Sequence, residues 1–198
     1  MLFLLIFLYC YLCVLILISI GYVVNTKFLR LTEGKDYLEN VLFGIIFISF
    51  LSLFLNFFTS LNQYINSLSL LFVIYFFTQL NFFQFKKVLG FSLIISLIAF
   101  ITFILDNSNR PDAGLYHLPY ISILNEHKII FGSANLHWRF GNISILQYFS
   151  AIFNNLIFKD NGILMPIAML YSSFVLFFLL NTFDKKNPNY LKIISFLF

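Results

Sequence analysis

The 198-residue chain contains few charged residues. They make up 10% of it, whereas apolar residues make up 61%. Soluble domains average about 25% charged and about 45–50% apolar residues. A soluble fold of this length could not bury so much apolar surface, so the composition excludes a soluble protein and predicts one that lies in a lipid bilayer. The net charge of +4 is ordinary for basic cytoplasmic loops and gives no indication of nucleic-acid binding.

The sequence also lacks the motifs of several common enzyme classes. It contains no P-loop, no Gly-x-Ser-x-Gly elbow and no dinucleotide-binding fingerprint. Its two cysteines, Cys10 and Cys13, have the spacing of a redox motif but lie inside an apolar segment, so we interpret them as packing residues. His117, His127 and His137 do not have the spacing of zinc ligands, and no zinc site is predicted.

Hydropathy predicts an all-α, polytopic transmembrane protein with a single membrane domain over residues 1–198. None of the predicted spans contains a formal charge, as burial in hydrocarbon requires. Three polar side chains near the spans are predicted to form helix–helix hydrogen bonds or to lie at the membrane interface: Asn56, Gln79 and Asn81. The predicted spans are residues 1–24, 41–59, 65–83, 88–105 and 163–180.

The last apolar run, residues 190–198, has about half the length that a membrane crossing requires. A helix that stopped there would leave backbone groups unsatisfied in lipid. We therefore interpret this run as the start of a further span, and the chain as the N-terminal part of a larger multi-pass protein. A short interfacial tail is the alternative.

The distribution of basic residues predicts the orientation in the membrane. Lys27, Arg30 and Lys35 follow the first span, and Lys86 and Lys87 precede the fourth. By the positive-inside rule these links are cytoplasmic, and the N-terminus is outside. The fourth span then leads to an external loop.

The predicted external loop covers residues 106–162, and its ambiguous segment is 142–158. If that segment crossed the membrane, the Lys and Arg residues would divide six inside and six outside; otherwise they divide eight and four, as the positive-inside rule favours. We therefore predict interfacial helices in the loop. Pro119 is suited to the first turn of one of them, over residues 120–125. The apolar side chains near one face of this helix, which is expected to lie on the membrane, are Leu118, Ile121 and Leu124.

Most side chains capable of chemistry lie in this loop. All three histidines, the only tryptophan and two of the three arginines fall between Asp106 and Gly141. Asp112 follows the fourth span, where a carboxylate can accept a proton from a hydroxyl or hold a divalent cation. A helix N-cap is the structural alternative for Asp112. Tyr116 and His117 are candidates to orient a phosphate or a sugar hydroxyl.

A second group of candidates lies at residues 137–139. His137 and Arg139 suit a phosphate, because a guanidinium offers fixed, paired donors at all pH values. Trp138 offers an amphipathic face to a sugar ring or to the lipid interface. For Trp138 and Tyr116, a role as simple membrane-interface anchors is the alternative.

Three motifs in the loop carry a family resemblance: Asp112-Ala-Gly-Leu-Tyr-His117, the pair Asn125-Glu126, and Asn135-Leu-His-x-Arg-x-Gly141. They resemble the signature loop of an uncharacterised bacterial family of multi-pass membrane proteins. That family is similar to the GT-C glycosyltransferases, which take sugars from polyprenyl-phosphate carriers. The resemblance covers about residues 106–158 and implies that the chain is the N-terminal part of a GT-C-like fold. It also implies that Asp112 is a catalytic base or a metal ligand.

The leading hypothesis is therefore an integral glycosyltransferase of the bacterial inner membrane. It would transfer a sugar from a lipid-phosphate carrier to a cell-surface glycan or lipid at the external face. The predicted partners are the bilayer and a polyprenyl-phosphate-linked sugar, with Asp112 as the base. The predicted substrate-binding residues are Tyr116, His117, His137, Trp138 and Arg139. The alternatives are a non-enzymatic polysaccharide export or assembly protein, and a nonfunctional truncated remnant.

Overall fold

The computed structural model describes residues 2–30, 37–80, 82–105, 113–141 and 144–183. Within these ranges the chain is helical and contains no strand. Its α-helices are α1 (Leu2–Val23), α2 (Tyr37–Phe58), α3 (Gln63–Thr78), α4 (Phe82–Leu105), α5 (Leu118–Glu126), α6 (Ile145–Phe153) and α7 (Met165–Phe183). Short π-helical turns cover Val24–Leu29 and Ala113–His117, and short 3-10 turns cover Ser133–Asn135, Trp138–Gly141 and Lys159–Ile163.

Four of the helices, α1, α2, α4 and α7, are long and apolar enough to cross a membrane. They overlap four of the predicted spans, so the prediction of a helical membrane protein is confirmed at this level. The prediction for the remaining span, residues 65–83, extends too far. α3 ends at Thr78, where Gln79 N and Leu80 N donate to Phe76 O and Phe77 O in a closing turn. Hydropathy could not detect this turn, because apolar residues continue on both sides of it.

Helix α3 differs from the four long helices in length. Its 16 residues rise about 24 Å, less than the roughly 30 Å of a hydrocarbon core. It nevertheless runs from one end of the bundle to the other, because Asn66 near its start contacts α6 and Gln79 just after its end contacts Lys27. Asn81, one of the polar residues singled out in the sequence, lies outside the described residues.

Helix α1 is the central helix of the bundle and packs against α2, α3, α4 and α7. Half of its most apolar segment is buried, a larger share than in the other three long helices. Cys10 and Cys13 lie in this buried part as free thiols, and Cys10 Sγ approaches Met165 Sδ to 3.6 Å. Their burial agrees with the packing role predicted for them.

The backbones of α1 and α2 approach each other closely at two glycines. A Cβ atom on Gly21 would lie 1.6 Å from Asn40 O, and one on Gly44 would lie 2.1 Å from Leu17 O. No side chain fits at either position. Small residues at helix crossings allow this close packing in membrane proteins, where dispersion contacts replace the hydrophobic effect as the main driving force.

The bundle has two chemically distinct ends. At one, the Lys27 ammonium donates a hydrogen bond to Gln79 Oε1, so the links after α1 and after α3 lie together. At the other, Leu61 N donates to Leu124 O at 2.9 Å, so the turn after α2 contacts α5. We call the first the basic end and the second the loop end.

Candidate functional site

A second, smaller hydrophobic core lies at the loop end and supports the predicted site. It combines side chains of α5 and α6 with others from the turn after α2 and from the turn Trp138–Gly141. Its buried members are Leu61, Tyr120, Ile121, Leu124, Phe140, Tyr148 and Ala151.

Helix α5 begins with Pro119 in its first turn, as predicted. However, Ile121 and Leu124 are almost fully buried in this second core. The prediction that the apolar face of α5 lies on the membrane is therefore wrong for Ile121 and Leu124, which pack on the protein itself, whereas Leu118 is exposed. An apolar stripe shows that a helix has a buried side, but it does not specify which surface covers it.

Asparagine side chains attach α5 to the turn between α2 and α3. Asn56 Nδ2 donates to Leu124 O and to His127 O, at 3.4 and 3.0 Å. Asn125 Nδ2 donates to Leu61 O at 2.6 Å and to Ala151 O at 3.0 Å. Asn56 and Asn125 therefore donate to carbonyl groups at the C-terminal ends of α5 and α6 and in the α2–α3 turn, where the helical pattern leaves carbonyls without intrahelical donors.

Two further asparagines attach α6 in the same way. Asn66 Nδ2 lies within 2.6–2.9 Å of Leu61 O, Ala151 O and Asn154 O. Asn154 Nδ2 donates to Asn125 Oδ1 at 3.0 Å and so links the two sets of hydrogen bonds. This polar network fixes α5 and α6 on the loop end of the bundle.

Helix α6 is too short to cross a membrane. It has nine residues, and it is buried from Gln147 to Phe153. The prediction that residues 142–158 do not span is therefore supported, although residues 142 and 143 lie outside the described part of the chain. α6 begins with a capping box, in which Ser144 Oγ accepts from Leu146 N and Gln147 Oε1 accepts from Ser144 N.

The first part of the predicted site is the turn Ala113–His117, which leads directly into α5. The rings of Tyr116 and His117 lie 4.2 Å apart, centre to centre. His117 Nδ1 lies 3.1 Å from Gln147 Nε2 of α6, so the imidazole is held by a neighbouring helix. Asp112, the predicted base, lies outside the described residues.

The second part is the turn that carries His137, Trp138 and Arg139. It is anchored by Phe140, whose ring packs 5.4 Å from Tyr120 and 5.3 Å from His137. Ser133 Oγ donates to Phe140 O at 3.3 Å and so closes the segment. Phe140 is buried, whereas His137 and Arg139 are partly buried and Trp138 is exposed.

Arg139 joins the two parts. Its Cζ atom lies 4.5 Å from the centre of the Tyr116 ring and 5.0 Å from the centre of the Trp138 ring. Guanidinium groups at this distance from aromatic faces are attracted by the ring quadrupole. The structure thus brings together the five predicted substrate-binding residues in what we call the arginine cluster: Tyr116, His117, His137, Trp138 and Arg139.

The arginine cluster is open to its surroundings. Trp138 is 68% exposed and His117 is also exposed, while Tyr116, His137 and Arg139 are partly buried. Trp138 stacks on His137, with ring centres 6.2 Å apart. An exposed indole beside a guanidinium fits both a binding role and the anchoring role that the sequence left open.

Sequence reasoning missed two residues that organise this site, Gln147 and Phe140. Gln147 contacts His117 from another helix, and Phe140 anchors the second turn. A signal for Gln147 was present, because it is a polar residue in the middle of an apolar run, but that pattern alone gave no partner for it.

Burial raises the pKa of Tyr120, and a hydrogen bond with Tyr148 raises it further. The Tyr120 phenol therefore stays neutral in the second core and serves as a packing and hydrogen-bonding group. In the described part of the chain, no three His, Cys, Asp or Glu side chains come close enough to hold a metal ion. Asp112, the metal ligand that the resemblance implies, is not among these residues.

Comparison with known proteins gives one match. The model of the family described as Domain of unknown function (DUF8201) matches residues 1–198. No curated protein and no solved structure matches the chain.

Proposed function

We propose that this chain, which belongs to the DUF8201 family of unknown function, is an integral membrane glycosyltransferase. It transfers a sugar from a lipid-phosphate carrier at the external face of the bacterial inner membrane, and the arginine cluster holds the phosphate of that carrier. The observation that carries the proposal is the position of Arg139, held against Tyr116 and Trp138 at the loop end of a membrane-embedded bundle.

The chemistry of Arg139 favours a phosphate ligand. A guanidinium offers paired N–H donors in its plane, and these match the oxygens of a phosphate. The rings restrict the side chain to few rotamers, which lowers the entropy lost when a ligand binds. His137, stacked on Trp138, is a second donor on the same short turn.

The surroundings of the arginine cluster favour a ligand anchored in the membrane. Leu115, Phe131 and Leu136 are each at least 65% exposed in the segments that carry the cluster. Exposed apolar and aromatic side chains beside a cationic group are typical of the layer between lipid headgroups and hydrocarbon. A polyprenyl phosphate places its charged group at this depth.

The charges at the two ends of the bundle favour an external site. Lys27 and Arg30 lie at the basic end, and Lys86 and Lys87 lie in the first turns of α4, close to Gln79 in the chain. The positive-inside rule assigns this end to the cytoplasm. The loop end and the start of α1 then lie outside.

The catalytic step follows from the resemblance to GT-C enzymes. Asp112 accepts the proton of the acceptor hydroxyl, and the hydroxyl oxygen forms a bond to the anomeric carbon of the donor sugar. The bond from that carbon to the carrier oxygen breaks, and its electron pair leaves with the phosphate. Arg139 and His137 stabilise the charge that develops on the departing phosphate.

The proposal is tested with Asp112→Asn, which keeps the shape of the side chain but removes the base. We expect loss of surface-glycan modification at unchanged abundance in the membrane, measured by glycan mass spectrometry and by immunoblotting of membrane fractions. The matched control is Asp160→Asn, an exposed acid in the turn before α7, which should retain activity. Normal glycan in the Asp112→Asn strain would refute the assignment of the base. A non-enzymatic export role predicts instead that both variants leave glycan composition unchanged.

A further inference from the structure

The hydrogen bonds around His117 determine which of its ring nitrogens carries the proton. Gln147 Nε2 lies 3.1 Å from His117 Nδ1. An amide nitrogen can only donate, so the Nδ1 atom that faces it must be an acceptor with a lone pair. In a neutral imidazole the proton is then on Nε2.

The orientation of the Gln147 amide is itself fixed by the start of α6. Ser144 N, a backbone donor, lies 3.1 Å from Gln147 Oε1. An N–H group requires an oxygen as its partner, so the amide cannot turn over without losing the capping box. The remaining amide nitrogen is therefore directed at His117, and Gln147 is buried enough to hold this arrangement.

We propose that Gln147 is a positioning residue that keeps His117 in the Nε2–H tautomer, so that His117 donates a hydrogen bond to an anionic ligand. Only the identity of that ligand, a carrier phosphate, rests on the proposed function. His117 is exposed and lies beside Tyr116, which Arg139 contacts, so a donor on its outer edge serves the same ligand as the guanidinium. In this state His117 is not a general base, since one nitrogen is protonated and the other is occupied.

The tautomer is measurable by nitrogen NMR on the full chain in lipid nanodiscs, because the protein has only three histidines to assign. We expect His117 to show a protonated Nε2 and an unprotonated Nδ1 at a pH where the ring is neutral. Gln147→Glu keeps an oxygen for Ser144 N but presents an acceptor to His117, so it should move the proton to Nδ1. Ser144→Ala removes the Oγ cap but not the backbone donor that orients the amide, and it should leave the tautomer unchanged.

Ligand binding gives the second readout. Dodecyl phosphate added to the wild-type protein should shift the Nε2 resonance of His117 and not that of His127, which lies at the end of α5. At a pH where both rings are neutral, Gln147→Glu should weaken this binding by about tenfold, the effect of losing one hydrogen bond to a charged group.

The outcomes separate this inference from the proposed function. An Nδ1–H tautomer in the wild type, or a tautomer that Gln147→Glu does not change, would overturn the role of Gln147 whatever the protein binds. The expected tautomers with no dodecyl phosphate shift at His117 would overturn its role as donor to the anion. If Asp112→Asn abolishes glycan modification but wild-type His117 has its proton on Nδ1, the proposed function stands and this inference fails.

Discussion

The guanidinium carbon of Arg139 lies 4.5 Å from the centre of the Tyr116 ring, and this contact joins two sequence motifs that lie on separate segments. Tyr116 belongs to the turn that precedes α5, and Arg139 to the turn that precedes α6. Asparagine hydrogen bonds hold α5, which follows the first segment, and Phe140 packs the second segment on Tyr120 of that helix. The contact therefore reports on whether the candidate site is assembled.

The first prediction concerns this pair. Tyr116→Phe retains the ring face and should leave the affinity for a polyprenyl phosphate within about twofold, whereas Tyr116→Leu should lower it about fivefold, since cation–π contacts contribute about 0.5–1 kcal/mol at exposed sites. Arg139→Lys should lower it about tenfold or more, because an ammonium lacks paired in-plane donors. Binding is measured by fluorescence of the single tryptophan, Trp138, in nanodiscs. Equal affinities for Tyr116→Leu and wild type would exclude a role for the ring.

The second prediction concerns the crossing of α1 and α2. In Gly44→Ala the new methyl group would lie 2.1 Å from Leu17 O, so the helices must separate, at a cost of about 1–3 kcal/mol. Thermal unfolding in detergent should shift down by several degrees. Gly90→Ala is the matched control, because no atom lies within 4 Å of a Cβ at that position of α4. A similar loss of stability in both variants would indicate a general intolerance of alanine and not a close helix crossing.

The third prediction concerns the polar network at the loop end. Asn66→Ala removes the donor shared by Leu61 O, Ala151 O and Asn154 O and leaves these buried carbonyls without it. Leu61 O and Ala151 O keep Asn125 Nδ2 as a donor, whereas Asn154 O loses its donor. We therefore expect a loss of about 1–3 kcal/mol, the cost of one unsatisfied buried group. Tyr64→Ala, whose side chain is 75% exposed on the first turn of the same helix, serves as the control and should change stability by less than about 0.5 kcal/mol. If both variants unfold at the wild-type temperature, the network does not hold α6 in place.

The fourth prediction concerns pH. The pKa of Tyr120 is raised in the folded state by burial and by its hydrogen bond with Tyr148. In the unfolded chain its pKa is about 10. Below that pH the phenol is neutral in both states, so the contribution of neutral Tyr120 to the free energy of unfolding is fully present. Above pH 10 the unfolded chain loses a proton that the folded protein retains, and stability falls. Tyr120→Phe should reduce this alkaline loss and lower stability at pH 7 by about 1 kcal/mol, measured by melting temperature from pH 7 to pH 11. An alkaline loss of the same size in Tyr120→Phe would assign it to other groups.

Much of the architecture follows from local sequence patterns. Uncharged apolar runs predict the helices α1, α2, α4 and α7, because a backbone in lipid must satisfy its own hydrogen bonds. Pro119 predicts the start of α5 for an equally local reason. The end of α3 is not predicted, since Gln79 and Leu80 close a turn inside a continuous apolar stretch.

The candidate site is predictable in its members but not in its arrangement. Scarce polar side chains in an apolar chain indicate where chemistry is possible, and this identifies Tyr116, His117 and Arg139. Their spacing along the chain does not indicate that Arg139 contacts Tyr116, or that Gln147 contacts His117. The sequence shows that Asn66 is a polar residue in an apolar segment, but it does not show which carbonyl groups accept its hydrogen bonds.

The sequence by itself predicts the four apolar helices that could cross a membrane and the links that carry the basic residues. These properties depend on the free energy of transfer of local segments from water to lipid, which is a sum over the residues of each segment. Only the tertiary structure decides that part of the apolar face of α5 is covered by protein, that asparagines fasten α5 and α6 to the α2–α3 turn, and that Gln147 sets the tautomer of His117. These depend on directional hydrogen bonds and close packing between residues distant in sequence, which no local pattern encodes.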